Sequence, residues 1–330
     1  MKICVTGAEG FIGSHLVEKL VKSGHSVKAL VLYNSFNDIG NLKFIDKKKL
    51  SKLKIIFGDI KDDFFLHNNL NNCDVIINLA ALISIPYSYS APNSYIDNNL
   101  KGVLNLLNLA TKNKKIHLIL TSTSEVYGTA QYVPIDENHP INTQSPYAAS
   151  KAACDNLAIS YFKSFNTKVS ILRPFNVFGP RQSLRAVIPT IITQAIEGKE
   201  IFIGSTSPTR DFTYVEDLCN AYLKVINNKN SVGEIINIAS NFEISIKEII
   251  NEVSNILKKK LTAVFSEDRI RPKKSEVFRL YGSNKKAIKI IKWKPKIKGL
   301  KGYKKNLLKT IRWYVENKRG YDFKKKHIIY

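Results

Sequence analysis

Tyr147 and Lys151 stand four residues apart in "SPYAASK", one turn of a helix and on one face of it. A phenol is a poor base at its free pKa of about 10. A lysine ammonium on the same face lowers that pKa, and the phenolate then takes the proton of a hydroxyl while hydride leaves the carbon that bears it. Upstream, "TSTSEVYG" (121–128) offers Ser122 or Thr123 to bond the same oxygen. Glu125 follows, just past the apolar run "IHLILT". A carboxylate at the end of a buried strand is costly unless it is exposed, paired or used.

A hydride needs an acceptor, and the start of the chain offers a place for one. "VTGAEGFIG" sets Gly7, Gly10 and Gly13 between a strand and a helix. The first glycine makes the turn, the second lets backbone approach a pyrophosphate, and the third lets helix pack on strand. Strand–loop–helix context makes the pattern specific for a dinucleotide. Lys151 can then also hold the nicotinamide ribose. The acid usual at the end of the second strand is missing, because Val31, Leu32 and Tyr33 occupy its place in "VKALVLYNSFN". No Arg stands there for a 2′-phosphate either. Asn34 and Ser35 can bond either form of the cofactor, so the expectation is weak discrimination leaning to NAD, with NADP still open. Asp59 in "FGDI" is either a contact at the adenine end or an ordinary turn acid.

These residues need a scaffold of alternating strands and helices. Apolar strands are expected at "KICVTGA", "SVKALVL", "LKIIFGDI", "CDVIINLAA", "IHLILTST" and "KVSILRPFNVFG". Between them fall helices at "GFIGSHLVEKLVKSG", "NLKGVLNLLNLATKN" and "YAASKAACDNLAISYFKSF". Near-continuous apolar strands separated by helices give the expected fold class: α/β, a Rossmann-type doubly wound parallel sheet with a smaller α/β C-terminal substrate lobe. The expected division is 1–180 for the cofactor domain, with some later segments returning to it, and 181–330 for the substrate lobe. In that lobe "AVIPTIITQAIEG" and "SIKEIINEVSNILKK" read as helices, the second capped by Ser245, and "EIINIAS" as a strand. The terminal "HIIY" reads as a frayed tail.

In order and spacing, "TGAEGFIG", "GDI", "NLAA", "STSEVYG", "SPYAASK", "RPFNVFGPRQ", "RDFTYVED", "RP…EV…L" and "WKP" resemble the extended short-chain dehydrogenase/reductase family over nearly the whole length. Within it the chain resembles the nucleotide-sugar epimerases and dehydratases. A plain 4-epimerase has no need of an acid at Glu125. The resemblance implies that 4,6-dehydratases use Glu there to remove the C5 proton once C4 is a ketone; elimination of the C6 hydroxyl and hydride return to C6 follow. Many dehydratases carry Asp before that Glu, where this chain has Ser124. "TSE" resembles GDP-mannose 4,6-dehydratases and also UDP-glucuronate decarboxylases. Glu125, once protonated, can serve as donor to the leaving hydroxyl. The implied catalytic set is Thr123, Ser124, Glu125, Tyr147 and Lys151.

For the cofactor, the resemblance adds Phe11, Ile12, Ile60, Leu79, Ala80, Ala81, Asn99, Ser122 and Pro174. For a sugar-nucleotide diphosphate it implies Asn176, Arg210 and Arg271, with Glu276 near the nucleoside and Ser84 as a further substrate contact. Arg presents a bidentate fork to phosphate. Arg181 and Arg185 are read as substrate contacts or surface, and Arg173 as structural. "STSEVYGTAQYVPIDENHPINTQSPYAASK" and "PRQSLRAVIPTIITQAIEG" are similar to dehydratases that open the legionaminic acid pathway from GDP-N-acetylglucosamine. A UDP-glucuronate decarboxylase, with Arg185 on the sugar carboxylate, and a 4-epimerase are the rivals within the fold. A cofactor-binding regulator could dispense with Tyr147, Lys151 and Glu125, yet all three are present.

The bulk composition narrows the rest. In 330 residues with 44% hydrophobic content there is ample core, and no apolar run long enough to span a membrane. "MKICVTGAEG" reads as a strand and not a signal peptide. Cys4, Cys73, Cys154 and Cys219 form no CxxC pair, which reads as reduced cytosolic thiols and no metal site. The net charge of +24 rests mainly on lysine, with nine Arg among 51 basic residues. This is read as a solvated lysine surface and not a nucleic-acid footprint. "GVLNLLNLATKN" and "YAASKAACDNLAISYFKSF" are apolar on more than one face, and in the family the equivalent pair forms a four-helix dimer interface. A homodimer is expected, and a tetramer is compatible with it.

Overall fold

A computed structural model describes residues 1–269 and 272–318. Thirteen strands are described there: β1 Lys2–Thr6, β2 Ser26–Leu32, β3 Leu53–Gly58, β4 Val75–Asn78, β5 His117–Thr121, β6 Val169–Pro174, β7 Asn176–Phe178, β8 Glu200–Ile203, β9 Thr209–Tyr214, β10 Ile235–Ile238, β11 Glu243–Ser245, β12 Thr262–Phe265 and β13 Arg279–Leu280. Seven form a parallel sheet in the order β10-β6-β5-β4-β1-β2-β3. Side chains alternate between its two faces. Ile3, Val5, Val75, Ile77 and Ile119 join a core with the helices Phe11–Lys22, Val187–Glu197 and Val215–Ile226. Cys4, Ile76, Leu118 and Leu120 join the opposite core with Asp63–Leu70, Lys101–Lys112 and Pro146–Phe165. Burial on both faces is why these strands read as continuous apolar runs.

The chain winds outward from β1 to β3, then returns to place β4 on the other side of β1. That reversal leaves a crevice beyond the strand ends, where doubly wound sheets bind ligands. Thr6 fastens its two lips. Its hydroxyl donates to Asn78 Oδ1 at 2.6 Å and accepts the amides of Leu79 and Ala80 at 3.2 and 3.1 Å.

A smaller sheet, β11-β9-β13 with β7 also on β9, lies over the carboxyl end of the large one, and β8 pairs with β12. The run "KVSILRPFNVFG", expected as one strand, divides at Phe175. The Phe175 amide donates to Ile238 of β10 at 3.0 Å, ending β6, while β7 turns to β9. Helices at Asp63–Leu70, Ile85–Ser90 and Gly299–Glu316 were not legible in advance. Ser245 caps Ile246–Leu257 as expected, in a reciprocal capping box with Glu248. Arg271 and the tail 327–330 lie outside the described residues. Among the described residues no helix is long and apolar enough to cross a membrane, and no cluster of ligating side chains could hold a metal ion.

Candidate active site

The glycine loop fits a dinucleotide. Gly10 stands at the N-cap of Phe11–Lys22 with no side-chain cap, and no acid occupies the first turn. The first helical amides are therefore free for an anion, and the helix dipole favours one. A Cβ on Gly13 would lie 2.2 Å from the Gly7 carbonyl oxygen, a backbone clash that only glycine avoids. Phe11 and Ile12 open the helix; Phe11 packs edge-on to His15, and Ile12 against the core. Across the crevice, Leu79, Ala80 and Ala81 leave β4. Asn99, buried in a π-helical turn, grips this segment through the Leu82 amide (2.8 Å) and carbonyl (3.0 Å), and reaches Ser150 at 3.0 Å. Ile60 packs on Gly102, where a Cβ would come within 2.3 Å of its Cδ1.

On the adenine side the candidates are mostly committed to the protein. The Asn34 side chain spans its own loop, bonding Leu32 and Asp38. Ser35 is exposed. Asp59 caps the Lys61 amide at 2.9 Å and pairs with the Lys61 ammonium at 3.3 Å, as a turn acid does.

Tyr147, Thr123 and Glu125 meet at the end of β5. Thr123 caps the short 3₁₀ turn Ser124–Tyr127, accepting the Glu125 amide at 3.2 Å. Ser124 and Glu125 are both buried, Glu125 with 8% of its surface exposed. Ser145 caps Pro146–Phe165, which brings Tyr147 beside Tyr95 at a ring separation of 6.2 Å. Burial pushes the Tyr147 phenol well above its ordinary pKa. A hydrogen bond with Thr123 opposes that shift, and the negative charge of Glu125 adds to it. The sequence reading had Lys151 lowering this pKa. Here the Lys151 ammonium donates to the Thr121 carbonyl instead, and burial wins. Of the two candidate hydroxyls, Thr123 faces Tyr147, whereas Ser122 donates to Asp155 at 2.7 Å.

Asp155 escaped the sequence reading. It lies four residues after Lys151, and that helical spacing was the available signal. Fully buried, it accepts from Ser122 and from Arg173 Nε at 2.9 Å; Arg173 reaches the Tyr127 hydroxyl at 3.0 Å, and Tyr127 donates to Asn237 at 2.8 Å. Arg173 is thus structural, as read. This chain of bonds underlies the candidate catalytic residues and ties β5, β6 and β10 together. Pro174 ends β6 in register with Ile238.

The groups read as substrate contacts lie on several elements. Ser84 caps Ile85–Ser90, and its carbonyl accepts from the Tyr95 hydroxyl. Arg185 is exposed, and its charge favours ionisation of Tyr95, although burial keeps that phenol at about 12. Arg210, buried in β9, pairs with Glu276 at 3.4 Å, which brings two predicted contacts together. Asn176 keeps a buried Oδ1 with no partner among the described residues. Arg181 is neither surface nor facing this group: it is buried at φ 67° and bonds Glu18 at 3.1 Å and the Phe44 carbonyl at 3.3 Å.

Known proteins with this arrangement process nucleotide sugars. Residues 4–305 match the family model described as GDP-mannose 4,6 dehydratase. A putative UDP-glucose 4-epimerase of Methanocaldococcus jannaschii is 33% identical, covering 96% of this chain and 99% of that protein. The human dTDP-D-glucose 4,6-dehydratase is 31% identical over 96% of this chain and 90% of its own length. The crystal structure of dTDP-glucose 4,6-dehydratase from Bacillus anthracis, in complex with NAD, superposes with a TM-score of 0.84 at 29% identity, covering 97% of this chain and 98% of that one. With its fold, glycine loop and Tyr–Lys pair all in place, the chain belongs to the GDP-mannose 4,6 dehydratase family of nucleotide-sugar dehydratases and epimerases.

Proposed function

We propose that the protein is a nucleotide-sugar 4,6-dehydratase acting on GDP-N-acetylglucosamine to give the 4-keto-6-deoxy sugar. The cofactor is NAD. The observation that carries the dehydratase reading is Glu125: a buried carboxylate at the end of β5, close enough to act electrostatically on Tyr147. An epimerase would gain nothing from it. NAD, when bound, would supply the acceptor for the C4 hydride and the source of the hydride at C6. Tyr147 takes the C4 hydroxyl proton, with Thr123 holding the same oxygen. Lys151, whose ammonium donates to the Thr121 carbonyl in this structure, would hold the nicotinamide ribose once NAD is bound and lend its positive charge to the phenolate. Oxidation at C4 acidifies C5–H, and Glu125 removes that proton. Protonated Glu125 then hands it to the departing C6 hydroxyl, which leaves as water while Ser124 holds the oxygen. C5 regains a proton from solvent.

Arg210, Glu276, Asn176 and Arg271 are assigned to the nucleoside diphosphate, and Ser84 and Arg185 to the sugar. The buried Arg210, a donor for phosphate oxygens, supports that side of the crevice. The guanine base and the N-acetyl group rest on the sequence resemblance. Such an enzyme works in the cytoplasm, where NAD and nucleotide sugars are found, and pairs through Lys101–Lys112 and Pro146–Phe165 as a homodimer.

Incubation with GDP-, UDP- and dTDP-sugars, read by mass, tests the reading. Loss of water from GDP-N-acetylglucosamine is expected. An unchanged mass with inverted C4 would establish a 4-epimerase, and loss of carbon dioxide from a uronic acid a decarboxylase. In heavy water the wild type should place deuterium at C5. Glu125→Gln should oxidise C4 but stall before elimination, and so accumulate reduced cofactor. A near-normal rate in that variant, with deuterium at C5, would make another residue the base.

A further inference from the structure

β2 ends at Val31 and Leu32 with no acid, yet a carboxylate stands at its end. It comes from the glycine loop. Glu9 turns back across the sheet, and its Oε1 accepts the Leu32 amide at 3.0 Å, a bond at the surface. The chain returning from β2 packs onto the same residue. The Glu9 carbonyl accepts the Asn41 amide at 2.9 Å. A Cβ on Gly40 would lie 2.9 Å from that carbonyl oxygen and 3.0 Å from the Glu9 Cβ. The side chain is therefore held at this spot by both segments. Its Oε2 is buried with no hydrogen-bond partner among the described residues, and burial raises the carboxyl above its ordinary pKa. A carboxylate oxygen without a donor is an unmet demand. Vicinal hydroxyls are the donors that the acid after a second Rossmann strand normally meets.

We propose that Glu9 reads the adenosine ribose of the cofactor. Its carboxylate accepts from the ribose hydroxyls, and its charge turns away a 2′-phosphate. The proposal rests on the NAD reading above. Asn34, read from the sequence as able to bond either form of the cofactor, spends its side chain within its own loop.

Calorimetric titration of the full-length protein, stripped of bound nucleotide, with NAD and NADP tests it. The wild type should prefer NAD by about tenfold or more, the effect expected of one charge-assisted hydrogen bond. In Glu9→Gln, which keeps the shape and the Leu32 bond, the preference should shrink to within about threefold. Glu9→Ala should also lose about tenfold in NAD affinity. A Glu9→Gln protein that melts like the wild type and keeps its NAD preference overturns the role of Glu9 and leaves the NAD reading standing. A wild type that prefers NADP overturns both.

Discussion

Tyr147 sits in a site that, as described, opposes its ionisation. Burial and the charges of Glu125 and Asp155 hold the proton on the phenol, and Thr123 alone among the principal influences favours the phenolate. Positive charge must therefore come from Lys151 and from NAD for the base to form. Tyr147→Phe should leave NAD affinity within about twofold while lowering turnover at least ~100-fold, the usual weight of a general base. Calorimetry and a turnover assay on one preparation check both, and wild-type-like turnover would remove Tyr147 from its role. The residue types proposed for catalysis stand out in the sequence because their spacing along one helix and one strand end is local. Asp155, Glu9 and the inward turn of Arg181 do not. Each is fixed by a partner outside its own element (Arg173, Leu32 and Glu18); spacing can put Asp155 on the Lys151 face of its helix, but it does not name such partners.

The first strand–loop–helix unit is where local sequence and tertiary contact agree most fully. Gly13 shows the cost of departing from it. Alanine there would press its methyl to 2.2 Å from the Gly7 carbonyl and 2.8 Å from the Ala8 Cα, both backbone atoms that cannot swing aside. Gly13→Ala should destabilise the protein by about 1–3 kcal/mol, as overpacking does, and weaken NAD binding by displacing the loop. Denaturant unfolding and calorimetry measure the two effects, and a fully stable variant with normal binding would show that the helix can slide. β6 and β7 show the opposite case. In "SILRPFNVF" apolar residues continue on both sides of the break, so periodicity cannot reveal that one part pairs with β10 and the next with β9. Only the tertiary partner decides where the strand breaks.

Across the molecule, half-buried histidines contribute to acid sensitivity. His117 opens β5 and is bonded to Ser170 of β6 at 2.8 Å; burial and then Lys168 push its pKa down to about 4. An unfolded histidine titrates at about 6.5. Between these values the unfolded chain binds a proton that the folded one refuses, so this stability is present above about 6.5 and drains away as pH falls toward 4. From pH 7 to pH 5 the wild type should lose on the order of 2 kcal/mol more than His117→Gln. Melting curves at the two pH values check this, and parallel losses would show that His117 is already free to titrate. The overall architecture was legible from alternation alone, but the closing of the large sheet by β10 depends on a segment far along the chain. That closure has a consequence for biosynthesis. When β6 leaves the ribosome, its free edge carries Val169, Ile171 and Leu172, and the strand that covers it is made about sixty residues later. At usual elongation rates this edge waits roughly three to thirteen seconds. Throughout that interval the nascent chain offers an unpaired apolar strand of the kind that recruits chaperones or a second chain, so the first half of the protein completes its fold only when the second half reaches back to it.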